Sequence, residues 1–280
     1  MEVMIVSSSD DVADVAADIL RDMLLHKPAC VLGLATGSTP IALYGELVRR
    51  YQQGEISLRE VQTFNLDEYL GLQPNSRLSY RRFMNEHLFA HTDIEADNIH
   101  FPECAAEQDP RTVGPGYEWA ISNAGGIDLQ VLGIGANGHI GFNEPSSSLG
   151  SRTRVKALAP RTLQDNSKLL RDGETQPEMA ITMGIGTIMD ARRILLLATG
   201  EHKAAAVAGA VEGAISAMHP ASVLQAHQRV RVIVDEAAAS QLQLLEYYRW
   251  VRRKNDSIAS QHGGSADDDP WFHKTVEDLD

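Results

Sequence analysis

This chain predicts an α/β fold, doubly wound, with a mostly parallel sheet and helices on both faces. Three observations carry that expectation. Short apolar runs alternate with stretches of helical periodicity almost throughout; the runs are nearly continuous in hydrophobicity; and unusual polar turns follow several of them directly. Strands covered on both faces lose the in–out alternation of half-exposed strands, so continuous runs separated by helices point to parallel strands. The chain has 280 residues and is 43% apolar, enough for a large buried core.

In chain order, helical periodicity is expected at 10–26, 41–53, 80–91, 111–123, 163–170, 202–212 and 236–254. Strands are expected at 30–35, 61–66, 127–134, Met179–Thr182, 194–199 and 230–234. No repeat and no linker interrupts the pattern before about residue 255, so one domain over 1–254 is expected. The segment 255–280 holds seven acids against a single base, Lys274, and carries nearly half of the net charge of −13. Its composition reads as a solvated, mobile tail. Apart from Arg252-Arg253-Lys254 there is no basic run to neutralise phosphates, so no nucleic acid partner is expected. Neither a membrane-length apolar run nor a signal-peptide pattern is present, and Cys30 and Cys104 give neither a disulfide framework nor zinc spacing. A cytoplasmic protein with no membrane contact is the expectation.

In open α/β sheets ligands bind beyond the carboxyl ends of the strands, so the turns there are where chemistry is sought. After the strand at 30–35 comes Thr36-Gly37-Ser38-Thr39-Pro40. Gly37 permits a tight turn, Ser38 and Thr39 offer hydroxyl and amide donors, and Pro40 suits the first helical position. This is a ready anion site or simply a capped helix; the lysine of a nucleotide P-loop is absent. After the strand at 61–66 come Asp67 and Glu68, either a catalytic carboxylate or a solvated acidic loop. In extended chain the two point to opposite sides, so one of them would face a ligand.

The segment 133–145 reads Gly-Ile-Gly-Ala-Asn-Gly-His-Ile-Gly-Phe-Asn-Glu-Pro. Gly133, Gly135 and Gly138 spell the dinucleotide fingerprint, which needs a helix opening at the third glycine and an acid about 20 residues on. Gly141 and Pro145 argue against the helix, and Arg152, Arg154 and Lys156 have the wrong sign for ribose hydroxyls. The fold is therefore Rossmann-like without being dinucleotide-binding. The turn instead presents Asn137, His139 and Glu144, a histidine able to pass a proton with a carboxylate to fix its tautomer. A fourth turn, Gly200-Glu201-His202-Lys203, puts a cation near a helix start, where the helix dipole disfavours it and a bound phosphate would explain it. His87, His91, His219 and His227 form no metal set.

Taken together, Leu34–Pro40, Phe64–Tyr69, Gly133–Pro145 and Ser151–Arg154 closely resemble the glucosamine-6-phosphate deaminases, over about residues 1–250. The resemblance implies isomerisation and deamination of glucosamine 6-phosphate to fructose 6-phosphate and ammonia, with no metal or organic cofactor. It makes Asp67 the enolisation base and His139 the ring-opening acid/base, with Glu144 as its partner. Asn137 falls where members carry Asp or Asn; an amide does not titrate, so it orients His139 or the substrate. Gly37, Ser38 and Thr39 match the phosphate turn and Lys203 a phosphate-binding lysine. Lys168 stands where some members have arginine, keeping the charge but not the bidentate fork.

Some members are hexamers activated by N-acetylglucosamine 6-phosphate at subunit interfaces. Ser147, Ser148, Arg154 and Lys156 resemble that second phosphate site, and Tyr247 resembles a tyrosine lent by a neighbouring subunit. Ala157 replaces the threonine common in regulated members, and Arg154 and Lys156 read equally as a plain subunit contact. Two other functions remain open: 6-phosphogluconolactonase, and a non-catalytic sugar-phosphate sensor, which would have no need of Asp67, His139 and Glu144.

Overall fold

The computed structural model describes residues 1–72, 76–105, 107–158, 163 and 177–261. In chain order its named elements are β1 (Glu2–Val6), α1 (Ser9–His26), β2 (Val31–Leu34), α2 (Ser38–Gln52), β3 (Gln62–Asn65), β4 (Asp67–Tyr69), α3 (Tyr80–His87), β5 (Ile99–His100) and α4 (Pro110–Asn123). They continue with β6 (Leu129–Leu132), β7 (Arg154–Ala157), β8 (Met179–Thr182), α5 (Ile185–Met189), β9 (Ile194–Ala198), α6 (Ala204–Val211), β10 (Val230–Asp235) and α7 (Leu245–Gln261).

Local chemistry sets the element ends. Ser8 opens α1 by accepting the Asp11 amide at 3.2 Å, and Val12, Ala16, Ile19, Leu20, Met23 and Leu24 make one buried stripe at three- and four-residue spacing. Helix α2 starts at Ser38, earlier than expected, so Pro40 takes the third helical position; the proton it lacks would have had no acceptor there either. The helix expected over 80–91 ends at His87 and finishes in a 3₁₀ turn, Phe89–His91. The one expected over 236–254 is displaced to Leu245–Gln261. Asp235 first takes the Ala238 amide at 2.7 Å in a turn, and the chain becomes helical only beyond Gln243 and Leu244, whose amides Glu212 accepts at 2.8 and 2.9 Å. Of the helix expected over 163–170, every residue but Leu163 lies outside the described residues.

Seven parallel strands run in the order β1-β10-β9-β6-β2-β3-β5. Helices α1, α2 and α3 bury one face of this sheet, through Leu20, Tyr44 and Met84 among others. Helices α4, α5 and α6 bury the other, through Ile121, Ile188 and Val207. From β2 the chain winds outward to β3 and β5. It then returns to β6 on the other side of β2 and winds towards β9 and β10. The strand order therefore reverses between β2 and β6, and the crevice beyond their carboxyl ends is the switch point where such sheets bind ligands.

One expectation is corrected. Met179–Thr182 is a strand, but not of the parallel sheet. It is the centre of a second, antiparallel sheet, β4-β8-β7, in which Asp67 faces Thr182 and Arg154 flanks the same residue from the other side. The chain reaches that sheet by leaving β3 through the single residue Leu66, whose amide bonds Leu34 at 3.0 Å and whose carbonyl takes the Met183 amide at 2.6 Å. Asp67 is thereby lifted out of the parallel sheet and over its carboxyl edge. Among the described residues no helix is long and apolar enough to cross a membrane.

Candidate active site

The four turns singled out in the sequence converge on one cleft of about 550 Å³ at the switch point. Thr36–Pro40 follow β2, Asp67 follows β3, Gly133–Ala136, His139, Gly141 and Phe142 follow β6, and His202 with Lys203 follow β9. Tyr80, at the start of α3, closes one side.

The turn after β2 offers free backbone amides, which can hold an anion. Gly37 caps α2 with φ +122°, and no side chain bonds the helix start. The Ser38 and Thr39 amides have no intrahelical acceptor, and the positive end of a four-turn helix dipole lies behind them. Lys203 lines the same cleft from a 3₁₀ turn, Glu201–Lys203, and its Nζ donates to the Ile134 carbonyl at 2.7 Å. Asp235 fixes that turn by accepting the Gly200 amide at 2.9 Å.

Asp67 lines the same cleft and is only 5% exposed. Burial, reinforced by the charge of neighbouring Glu68 and opposed by a hydrogen bond from Thr182, pushes its carboxyl from an ordinary 3.8 up to about 8. Glu68 points the other way, as the extended geometry requires. Its carboxylate accepts the amides of Tyr69, Tyr80 and Arg81 at 2.8, 3.0 and 2.9 Å, and so caps α3 rather than entering the cleft. Burial still raises its pKa, against those three donors. The base-like carboxylate is therefore Asp67 alone, and Glu68 holds the helix that brings Tyr80 to the cleft.

The glycine-rich turn supplies a second proton-handling group. Nδ1 of His139 lies 2.7 Å from the Asn137 side-chain oxygen, and the Asn137 amide donates to Glu144 at 2.7 Å. Glu144 itself is 3.5 Å from Nδ1. An ionised carboxylate only accepts, so the amide nitrogen must face Glu144 and the amide oxygen must face the ring. Nδ1 then carries the proton, and Nε2 is left as the basic nitrogen. This refines the expectation that Glu144 fixes the tautomer directly: Asn137 does so, and Glu144 fixes Asn137. The glycines make room for this. A Cβ on Gly135 would stand 2.2 Å from the His139 ring, and no helix follows Gly138, which removes the dinucleotide reading.

A cleft lined by free helix amides and a lysine able to hold a phosphate, by an unusually basic carboxylate and by an oriented imidazole suits proton transfers on a phosphorylated sugar. Comparison with known proteins agrees. The family described as "Glucosamine-6-phosphate isomerases/6-phosphogluconolactonase" matches residues 6–233. The chain belongs to this family. A glucosamine-6-phosphate deaminase of Hahella chejuensis is 57% identical over 252 residues, 90% of this chain and 96% of that one. One of Pseudoalteromonas translucida is 52% identical over 94% of this chain and 98% of its own length. A solved monomeric glucosamine-6-phosphate deaminase superposes with TM-score 0.83 at 42% identity, covering 86% of this chain and all of that one. The 6-phosphogluconolactonase of Trypanosoma cruzi shares the family's fold at TM-score 0.68 and 20% identity, covering 86% of this chain and 97% of its own.

The remaining expected positions of this family member fall as follows. Lys168 lies outside the described residues. Arg154 and Lys156 alternate with Val155 along β7 and so share a face; Arg154 donates to the side chain of Asn143, within the glycine-rich turn, at 3.0 Å. Ser147 is buried with its hydroxyl unpartnered, and Ser148 is exposed. Tyr247 lies on α7, exposed and stacked on Trp250 at 6.2 Å. Sequence reasoning did not single out Thr182, Tyr80, Thr36 or His202. Thr36 and His202 did carry a signal, since each lay in a turn already marked, beside Gly37 and Lys203.

Proposed function

We propose that this protein converts glucosamine 6-phosphate and water into fructose 6-phosphate and ammonia in amino-sugar breakdown. The observation that carries this reading is the buried Asp67 carboxylate, raised to about 8, in one cleft with the Asn137-oriented His139. A carbon-bound proton is removed only by a base of unusual strength held close to it, whereas opening a lactone needs no such group.

The substrate phosphate binds the amides and hydroxyls of Ser38 and Thr39 after Gly37, with Lys203 supplying charge; Lys168 is a further phosphate contact on the family resemblance. His139 moves a proton from the C1 hydroxyl to the ring oxygen, opening the sugar to its aldehyde. The Asn137–Glu144 chain steadies the imidazolium that forms in passing. Asp67 then takes the C2 proton; the C2–H electrons become the C1–C2 double bond, and the carbonyl oxygen gains the proton that the substrate's own C2 ammonium gives up. The same carboxylic acid returns its proton to C1, which leaves a C2=N iminium. Water adds at C2, the C–N bond breaks and ammonia departs. Every step moves a proton, adds water or expels ammonia, so positioned acids and bases suffice.

An ammonia-release assay tests this directly. Turnover of glucosamine 6-phosphate without added cofactor supports it; turnover of 6-phosphogluconolactone instead, or binding without turnover, overturns it. As a finer proposal, Ser147, Ser148, Arg154 and Lys156, with Tyr247 of a neighbouring copy, take N-acetylglucosamine 6-phosphate as activator in a cytoplasmic homo-oligomer. Rate and sedimentation measured with and without that compound decide it.

A further inference from the structure

Thr182 ends β8 directly opposite Asp67 in the antiparallel register, and both residues are buried. Its hydroxyl oxygen accepts the Phe142 amide at 3.0 Å, and the hydroxyl is placed beside the Asp67 carboxylate, whose pKa it acts to lower. A hydroxyl has a single hydrogen. With Phe142 donating to the oxygen, that hydrogen is available for an acceptor. The rival to Asp67 is the Met183 carbonyl at 3.4 Å, a long contact beside a carboxylate. The Gly141 backbone closes over the pair: a Cβ there would stand 3.0 Å from the Thr182 hydroxyl and 3.3 Å from Oδ2 of Asp67.

We propose that Thr182 is a positioning residue for Asp67, whose hydroxyl aims the carboxylate and favours its ionised, basic form while tying it to the turn that carries His139. The inference rests on Asp67 being the base of the proposed reaction. Burial alone would leave Asp67 protonated and inert over a wide pH range. A donor to the ionised form works against that, and threonine offers one in the space that valine would fill with a methyl group. The other groups facing Asp67 do not take this part. Glu68 on β4 raises its pKa, and Tyr80 on α3 and Tyr117 on α4 are buried phenols whose own pKa values are pushed far up by burial. His139 and Lys203 line the same cleft from the turns after β6 and β9. Phe142 follows His139 by three residues, so one hydroxyl holds both proton-handling centres in register.

The test is the pH dependence of kcat/KM for wild type, Thr182→Val and Thr182→Ser, with melting followed for each. Removing the donor destabilises the ionised carboxylate, so the rising limb for Thr182→Val moves about one to two pH units upward. Its rate below that limb falls about 10- to 100-fold and recovers at alkaline pH, with KM little changed. Thr182→Ser keeps the wild-type midpoint. Substrate titrations are common to all three proteins and cancel. A Thr182→Val profile with the wild-type midpoint overturns the proposal. So does a loss of rate equal at every pH, which marks a merely structural role, or a serine variant that shifts as far as valine. Should Thr182→Val not fold, Thr182→Ala carries the same midpoint test. Wild-type protein without ammonia release would instead refute the reading of Asp67, an outcome distinct from all of these.

Discussion

Asp67 and His139 face the same cleft but are prepared for proton transfer in opposite ways. Asp67 sits at a strand end, 5% exposed, and its basicity is made by withholding water. The His139 side chain, on a glycine turn, keeps 26% of its exposure, and what the fold supplies is direction: Asn137 at Nδ1 and Glu144 behind it. The difference matches the protons that each group moves in the proposed reaction. A carbon-bound proton leaves only for a strong base, which burial provides at a cost in stability. Protons on oxygen exchange readily, so an imidazole in the right tautomer is enough.

The largest expected effect removes the buried base. Asp67→Asn should lower kcat by about 10³-fold or more while a phosphate ligand still binds. It should also separate function from stability. In the folded protein Asp67 keeps its proton up to about 8, against an ordinary 3.8, so its stabilising contribution is complete only below 3.8, declines as pH rises from there and is gone above about 8. The Asn variant should therefore melt higher than wild type at alkaline pH, by less near neutrality, and close to it only at about pH 4 or below. Equal melting points at both values would mean that burial is not what tunes Asp67.

Next in size, Lys203→Met should raise KM for the phosphorylated substrate about 10- to 100-fold with a smaller change in kcat. An unchanged KM would move the phosphate site away from this turn. The smallest effect should come from the oriented centre. Asn137→Leu removes the acceptor at Nδ1 and should lower kcat about tenfold. Asn137→Asp keeps an acceptor there but sets a second carboxylate beside Glu144, so activity should survive with an added acidic ionisation in its pH profile. If Asn137→Leu cost as much as Asp67→Asn, the contrast between the two centres would fail.

Much of this was legible in the sequence because glycine or acidic turns after apolar runs mark strand ends, and the ends of β2, β3, β6 and β9 are where the cleft forms. What escaped depends on pairing between distant segments. Local hydrophobicity does not distinguish a strand of the parallel sheet from one of a small antiparallel sheet, so Met179–Thr182 was expected in the wrong company and Thr182 was not seen to face Asp67. Arg154–Ala157 went unexpected as a strand because its alternating charges mark a half-exposed ribbon rather than a buried run. His139 and Glu144 were visible as a pair. That Asn137 stands between them follows only from the fold of the turn, and β1, five residues long like β9, was passed over at the start of the chain.

The central claim, that burial makes Asp67 a base, is tested most directly in the ligand-free protein. Carbon-13 NMR of labelled aspartate carboxyls, with the Asp67 resonance assigned by its loss in Asp67→Asn, reads that titration without any substrate. The account predicts a midpoint near about 8. A midpoint near the ordinary 3.8 would contradict it.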